Sequence, residues 1–190
     1  MTRALLIVDV QNDFTEGGAL ACTGGAETAA AITRFVHANR GDYAVIAASR
    51  DWHDSGNDNG GHFSETPDWV DSWPVHCVAD TTGADYHPNL DRDVIDEHIY
   101  KGQGKPAYSA FEGATEDGRT LVDVLCSHGV TELTVVGIAT DYCVRASALD
   151  AVQAGLDVTV RADLCVGVEA GSSVEALSEL AAAGINITVG

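Results

Sequence analysis

Basic residues are scarce in this sequence of 190 residues, which has 29 Asp and Glu, 10 Lys and Arg and a formal net charge of −19. A surface this acidic repels nucleic acid and anionic membranes, so we expect neither as a partner. Asp outnumbers Glu, and the only lysines are Lys101 and Lys105. This composition suggests adaptation to high salt, and it favours a functional interpretation of any lysine that the chain retains.

Long apolar runs, a signal-peptide layout and phosphate-binding glycine motifs are also missing. No segment is long enough to span a bilayer, and the N-terminus leads directly into a predicted strand. No P-loop or GxGxxG motif supports phosphate or dinucleotide binding. The five cysteines, at positions 22, 77, 126, 143 and 165, include no CxxC pair. Their spacing argues against a disulfide framework or a structural zinc knuckle, so we expect a soluble, cytoplasmic protein with reduced thiols.

Apolar residues make up 45% of the chain, and their spacing predicts strands that alternate with helices. We expect one domain, residues 1–190, because this length can bury a substantial core. Strands are predicted near residues 4–8, 43–48, 95–100, 133–137, 157–160 and 185–189. Helices are predicted near residues 26–39, 120–127, 143–155 and 169–183. The alternation predicts an α/β fold, a three-layer α/β/α domain with a mainly parallel, roughly six-stranded, Rossmann-like sheet.

Cys143 lies where the fourth predicted strand turns into a helix. Thr140 or Asp141 can serve as the N-cap of that helix. The helix dipole is expected to lower the pKa of the thiol, and the free N–H groups of the first turn could hold an oxyanion. The alternative at this point is a small buried cysteine with no reactivity.

Four predicted strands end in polar or reactive residues: Asp9, Asp51, Lys101 and the turn that carries Cys143. The carboxyl ends of parallel strands meet at one edge of the sheet, where such folds place their sites. Asp9 could take the proton of the Cys143 thiol, and Lys101 could hold Asp9 in place. A simple ion pair between Asp9 and Lys101 that fixes the strand ends is the alternative.

A possible metal site begins with Asp51 and His53, whose side chains point to the same side of a strand end. The segment that follows, residues 54–87, is rich in Gly, Asp, Asn, Trp and His, and a loop of this length is usually functional. It contributes His62 and His76. These nitrogen and oxygen ligands suit Zn²⁺, Fe²⁺ or Mn²⁺, so we predict a metal and substrate loop over about residues 51–87.

Three aromatic residues near these groups could form the wall of a pocket for a flat ring: Phe14, Trp73 and Tyr108. Ordinary core packing is the alternative for each of them.

Five segments occur in the order and spacing of a known family. They are residues 9–14 (DVQNDF), 51–53 (DWH), 73–77 (WPVHC), 100–102 (YKG) and 137–143 (GIATDYC). From near residue 3 to near residue 189 the chain resembles the nicotinamidase/pyrazinamidase family of isochorismatase-like cysteine hydrolases. Two departures are a longer 54–61 segment and Tyr142, at a position where many relatives have another residue.

The resemblance implies a catalytic triad. Cys143 would be the nucleophile, Asp9 the general base and then the acid, and Lys101 the third member. The N–H groups of Ala139 and Cys143 would form the oxyanion hole, beside a cis peptide bond between Ile138 and Ala139.

The resemblance also implies one divalent metal ion, Zn, Fe or Mn, and no organic cofactor. Asp51, His53 and His76 would hold the metal, with His62 as a fourth ligand, and in that family the metal holds the pyridine nitrogen of the substrate. The substrate wall would consist of four residues: Phe14, Trp73, Tyr108 and Ile138.

The implied reaction converts nicotinamide to nicotinate and ammonia through a thioester, in NAD salvage, with pyrazinamide as a further substrate. The nearest alternative is a sister hydrolase acting on isochorismate or on a carbamoyl or ureido compound, which shares the triad but usually lacks the metal residues. A non-catalytic ligand-binding module is a more distant alternative. Relatives range from monomers to larger assemblies, so a homo-oligomer is possible.

Overall fold

A six-stranded sheet with parallel pairing throughout organises the computed structural model, which describes all 190 residues. The strands are β1 (Arg3–Val8), β2 (Val45–Asp51), β3 (Glu97–Lys101), β4 (Glu132–Ile138), β5 (Asp157–Val166) and β6 (Asn186–Thr188). The α-helices are α1 (Gly25–Asn39), α2 (Leu121–Ser127), α3 (Arg145–Gln153) and α4 (Ala170–Ala182). The predicted α/β fold is therefore confirmed, and the sheet is wholly rather than mainly parallel.

The strand order is β3-β2-β1-β4-β5-β6, so the direction of winding reverses between β1 and β4. In open parallel sheets this switch point leaves a crevice at the carboxyl ends of the two strands. Asp9 follows β1 directly, and Cys143 lies in the π-helical turn Thr140–Val144 that follows β4. The fold alone thus brings these two residues to the crevice.

Helices and loop residues cover the two faces of the sheet and form two separate cores. On one face α1 buries Ala29, Ile32 and Val36, together with Tyr86 and Leu90 from the loop before β3. On the other face α2, α3 and α4 pack on the alternate residues of the same strands, and their buried residues include Leu121, Val124, Ala148, Ala151 and Leu180. Residues 4–8 of β1 and 135–138 of β4 are buried on both sides of the sheet, which explains why these stretches are continuously apolar.

The largest error in the predicted boundaries concerns β5, which continues to Val166 instead of ending near residue 160. Its second half contains Arg161 and Asp163, whose side chains form an ion pair with a 2.8 Å N–O separation. The two charged side chains pair with each other on a partly exposed part of the strand. The backbone can therefore continue in the sheet although the apolar sequence pattern stops.

The segment between β2 and β3 is irregular, as predicted, and buried polar contacts hold it in place. Asn59 is fully buried, and its side-chain oxygen accepts hydrogen bonds from the N–H groups of Asp54 (2.9 Å) and Gly104 (3.1 Å). Farther along, the Asp13 carboxylate accepts a 2.7 Å hydrogen bond from the Cys77 N–H. These contacts fix the backbone on either side of the histidines that the segment carries.

None of the four α-helices combines the length and the apolar composition that a bilayer crossing requires.

The acidic surface leads to a prediction about salt. Raising KCl from about 0.1 M to about 1 M shortens the Debye length from about 10 Å to about 3 Å, which screens the repulsion among surface carboxylates. We expect the melting temperature to rise by at least about 3 °C, equivalent to about 1 kcal/mol for a chain of this size. Calorimetry across a KCl series measures this, and a constant or falling melting temperature contradicts it.

Candidate active site

The four predicted strand-end residues meet around the ammonium group of Lys101. Its Nζ lies 3.0 Å from Asp9 Oδ2 and 3.7 Å from Cys143 Sγ. It donates a short hydrogen bond to Asp51 Oδ1 and a 3.2 Å hydrogen bond to the carbonyl of Ala107. Asp9 and Lys101 are fully buried, and Asp51 and Cys143 nearly so. A buried cation, two carboxylates and a thiol therefore share one small volume.

Strand pairing and one buried amide place the carboxylates. Asp51 and Lys101 are register partners at the ends of β2 and β3. Gln11, fully buried, accepts a 2.8 Å hydrogen bond from the Asp51 N–H and donates a 2.9 Å hydrogen bond to the Asp51 carbonyl. The side chain of Gln11 thus completes the backbone hydrogen bonding where β2 leaves the sheet.

The turn that carries Cys143 depends on a glycine. Gly137 has φ of +124°, and a Cβ atom there would lie 2.1 Å from the Val8 carbonyl oxygen. Only glycine permits this backbone and this approach of β4 to β1. The Ile138–Ala139 peptide bond that follows is cis, as the resemblance implied. The Ala139 N–H makes no hydrogen bond within the protein, and Ala139 lines the cavity described below.

Lys101, Asp9 and Asp51 have side-chain pKa values that are shifted from their usual ranges. Burial would lower the pKa of Lys101, but the Asp51 and Asp9 carboxylates outweigh it and the pKa is raised well above its usual value. Burial raises the pKa of Asp9, despite Lys101. Burial would also raise the pKa of Asp51, but Lys101 and the adjacent histidines lower it well below its usual range.

The predicted lowering of the Cys143 pKa is wrong. Burial raises the pKa of this thiol well above its usual value, and the nearby carboxylates of Asp9 and Asp51 add to the effect against Lys101. The thiol is therefore neutral, and it would need a base to remove its proton before it could act as a nucleophile. Asp9, with its raised pKa, is better suited to that role than an ordinary carboxylate.

Three buried histidines lie next to the Asp51 carboxylate. One ring nitrogen from each of His53, His62 and His76 lies within 4.8 Å of the others. Asp51 Oδ2 lies 3.7 Å from His53 Nε2 and 3.8 Å from His76 Nε2. Burial, and the neighbouring His76 and His53, lower the pKa of His62 to about 4, so its ring is neutral at pH 7, as a metal ligand must be.

The hydrogen bonds of these rings fit a metal ion. His53 Nδ1 donates to the Gly102 carbonyl (2.8 Å) and His76 Nδ1 donates to the Pro74 carbonyl (2.7 Å), which leaves each Nε2 with a free lone pair. His53 Nε2 and His62 Nδ1 are buried and have no hydrogen-bond partner. Unpaired buried nitrogens of this kind are costly unless they bind an ion. The donor set, three imidazoles and one carboxylate, suits Zn²⁺ or another divalent transition metal.

An apolar cavity of about 250 Å³ opens onto these groups. Its lining includes three predicted wall residues, Phe14, Trp73 and Tyr108, beside Cys143 and Asp51. The fourth predicted wall residue is different. The side chain of Ile138 is fully buried in the core under α1 and does not line the cavity.

Several lining residues were not assigned from the sequence: Leu20, Trp69, Tyr142 and Val168. Tyr142 packs its ring edge-on against Trp73, with centroids 5.1 Å apart, and stacks on Tyr108 at 6.3 Å. The available signal for Tyr142 was its position next to Cys143. Leu20 and Val168 come from loops whose approach to the cavity only the fold determines.

Comparison with known proteins identifies the family. Residues 3–189 match the isochorismatase domain. The chain is 51% identical over 185 residues to the nicotinamidase/pyrazinamidase of Mycobacterium tuberculosis, covering 97% of each chain. The pyrazinamidase of Pyrococcus horikoshii, solved in complex with zinc, has a TM-score of 0.85 and 35% identity over 100% of both chains.

An L. infantum protein solved in complex with nicotinate has a TM-score of 0.84 and 30% identity, over 99% of this chain and 92% of that one. The resemblance noted in the sequence is thus confirmed by both sequence and structure comparison. The chain belongs to the isochorismatase family.

Proposed function

We propose that this protein is a metal-containing cysteine amidohydrolase that converts nicotinamide to nicotinate and ammonia, and that it also accepts pyrazinamide. One observation carries the proposal: Cys143 lines the same apolar cavity as His62 and His76 of the buried histidine cluster. The relative from M. tuberculosis is named for both activities, and the L. infantum structure holds nicotinate. The histidine cluster also favours a nicotinamidase over a sister hydrolase that shares only the triad.

The first half of the reaction forms a thioester. Asp9 removes the proton of Cys143, and the sulfur attacks the carboxamide carbon. The N–H groups of Ala139 and Cys143 stabilise the negative charge that develops on the carbonyl oxygen. Lys101 offsets the charge of the sulfur and of Asp9. Asp9 then returns the proton to the amide nitrogen, the C–N bond breaks, and ammonia leaves a nicotinoyl thioester on Cys143.

The second half of the reaction consumes water. Asp9, again a carboxylate, removes a proton from a water molecule that attacks the thioester carbon. The same backbone donors hold the oxyanion, the C–S bond breaks, and the sulfur of Cys143 recovers a proton from Asp9. Nicotinic acid leaves and gives its proton to solvent to become nicotinate, and no organic cofactor takes part.

The metal ligands would be His53, His62, His76 and Asp51. A divalent ion bound there would supply a Lewis acid that holds the pyridine nitrogen of the substrate. Phe14, Trp73, Tyr108 and Tyr142 would then enclose the ring and orient the carboxamide toward Cys143.

The setting of the activity is a further part of the proposal. We infer a single domain, residues 1–190, with residues 51–87 as the metal and substrate loop. The five free thiols are typical of a reducing, cytoplasmic compartment, where the reaction would serve NAD salvage.

Ammonia release from nicotinamide tests the proposal. We expect turnover by protein loaded with Zn²⁺, Fe²⁺ or Mn²⁺, loss of turnover on chelation, and recovery on adding metal back. Benzamide, which has the same carboxamide but no ring nitrogen, should be hydrolysed at least about 100-fold less efficiently, because a site built to bind a polar atom rejects the analogue that lacks it.

Two measurements make the result decisive. The metal content of His53→Ala should fall, whereas that of His128→Ala should not, because His128 follows the end of α2 and is not part of the histidine cluster. Metal-loaded, folded protein that releases no ammonia from nicotinamide overturns the proposal and favours a sister hydrolase.

A further inference from the structure

Ser49, a residue of β2 with no role assigned above, makes two contacts with Asp9. Its hydroxyl donates a 2.7 Å hydrogen bond to Asp9 Oδ1, and both residues are fully buried. Its carbonyl oxygen accepts a 3.2 Å hydrogen bond from the Asp9 N–H. Asp9 has φ of +46°, in the left-handed region that is unfavourable for a residue other than glycine. One residue therefore holds both the backbone and the carboxylate of Asp9.

The two oxygens of Asp9 differ in their surroundings. Oδ1 is occupied by Ser49, whereas Oδ2 lies 3.0 Å from Lys101 Nζ without hydrogen-bond geometry and has no other partner. Lys101 Nζ is also 3.7 Å from Cys143 Sγ, so Oδ2 and the thiol are neighbours of the same ammonium group. A carboxylate that rotated freely about its Cα–Cβ and Cβ–Cγ bonds would not keep this lone pair available.

We propose that Ser49 is a positioning residue that binds Asp9 Oδ1 and thereby keeps Oδ2 directed at the Cys143 thiol, an inference that rests on the proposed function. Ser49 does not touch substrate; it acts through Asp9. It keeps the base in the geometry in which the S–H proton can pass to Oδ2 as the sulfur attacks.

The hydroxyl has no evident structural purpose apart from this contact. The residues that precede it in β2 include Ala47 and Ala48, both fully buried, so the sheet accepts alanine at neighbouring positions. The only side-chain hydrogen bond of Ser49 goes to Asp9. A buried hydroxyl without a partner would be unfavourable, which ties its presence to the carboxylate.

The test compares Ser49→Ala with Ser147→Ala. Ser147 is also fully buried, and its hydroxyl accepts a 2.9 Å hydrogen bond from the Ala110 N–H instead of contacting Asp9. We expect Ser49→Ala to lower kcat by about 10- to 100-fold, the effect of losing one hydrogen bond to a charged group, with KM changed less than about twofold. Ser147→Ala should lower the melting temperature and leave kcat within about twofold.

A second readout does not require a substrate. Iodoacetamide alkylates a cysteine when sulfur displaces iodide and the thiol proton passes to a base. Alkylation of Cys143, followed by peptide mass spectrometry, should be slowed by Ser49→Ala by the same factor as kcat. Alkylation of the exposed Cys126 should be unchanged. If wild-type protein does not hydrolyse nicotinamide, the proposed function fails, and this rate still decides the role of Ser49.

Ser49→Thr and Ser49→Val extend the test if the alanine variant does not fold. The two side chains have nearly the same shape, so any cost of the added bulk is common to both. The alkylation rate of Cys143 and kcat should each be at least about tenfold higher in Ser49→Thr, which retains the hydroxyl, than in Ser49→Val. Equal rates in this pair, or wild-type rates in Ser49→Ala, overturn the proposal.

Discussion

Replacing Cys143 with alanine is expected to lower kcat for nicotinamide hydrolysis by at least about 10⁴-fold, because the proposed thioester forms on its sulfur, which lies 3.7 Å from Lys101 Nζ. Asp9→Asn should have a similar effect, because the neutral thiol keeps its proton unless a carboxylate removes it. The double variant should be no slower than either single variant, since the two residues act in the same step. Steady-state ammonia release from all three variants measures this.

Controls separate this loss from damage to the fold or to the metal site. Alanine is smaller than cysteine and apolar, so Cys143→Ala should fold and keep its metal content. Cys126→Ala removes an exposed thiol and should retain full activity. A Cys143→Ala variant that hydrolyses nicotinamide at a rate near that of the wild type would show that water attacks the amide directly, without a thioester.

Much of the site could be predicted from the sequence because a parallel sheet places the carboxyl ends of its strands at one edge. Asp9, Asp51 and Lys101 each stand at or shortly after the end of a predicted strand, and such strands are recognisable without a structure. Once the sheet is parallel, its carboxyl ends share one edge, so residues that are up to 92 positions apart in sequence (9 to 101) become neighbours. The prediction required only the order of elements, which composition and periodicity determine well.

The protonation of Cys143 could not be predicted in the same way. Its place at a helix N-terminus suggested a lowered pKa, a local argument. The actual pKa depends on how completely the thiol is buried and on which carboxylates surround it, and both depend on the packing of distant segments. The same reason applies to Ile138, which has the expected position in the sequence but points into the core instead of the cavity.

Ser49 and Tyr142 illustrate a different limit. Serine in a strand and tyrosine beside a nucleophile are common, so neither has a distinctive sequence pattern. Each is placed at the site by one contact. Ser49 donates a 2.7 Å hydrogen bond to Asp9, and the Tyr142 ring packs on Trp73 with ring centroids 5.1 Å apart. Contacts between residues far apart in the chain are set by side-chain packing, which periodicity does not describe.

Lys101→Met is expected to destabilise the protein by about 3–5 kcal/mol, as well as to abolish activity. Lys101 is the cation that both the Asp9 and the Asp51 carboxylates approach, and all three are buried. Removing one partner of a buried ion pair leaves an uncompensated charge, here on the Asp9 carboxylate, whereas Asp51 would keep the metal ion as a neighbouring cation. Denaturant unfolding of metal-loaded variants measures the effect. Lys105→Met is the matched control, since Lys105 is the only other lysine and is exposed.

A double-mutant cycle identifies the cause of that loss. If uncompensated charge is responsible, adding Asp9→Asn to Lys101→Met should restore part of the lost stability. It should do so even though Asp9→Asn removes a polar contact when it is made alone in the wild type. If Lys101→Met is instead destabilised by poor packing of the methionine, the two changes should be additive. Additivity would mean that the lysine contributes mainly by filling space, and that the Asp9 and Asp51 carboxylates do not depend on its charge to remain buried.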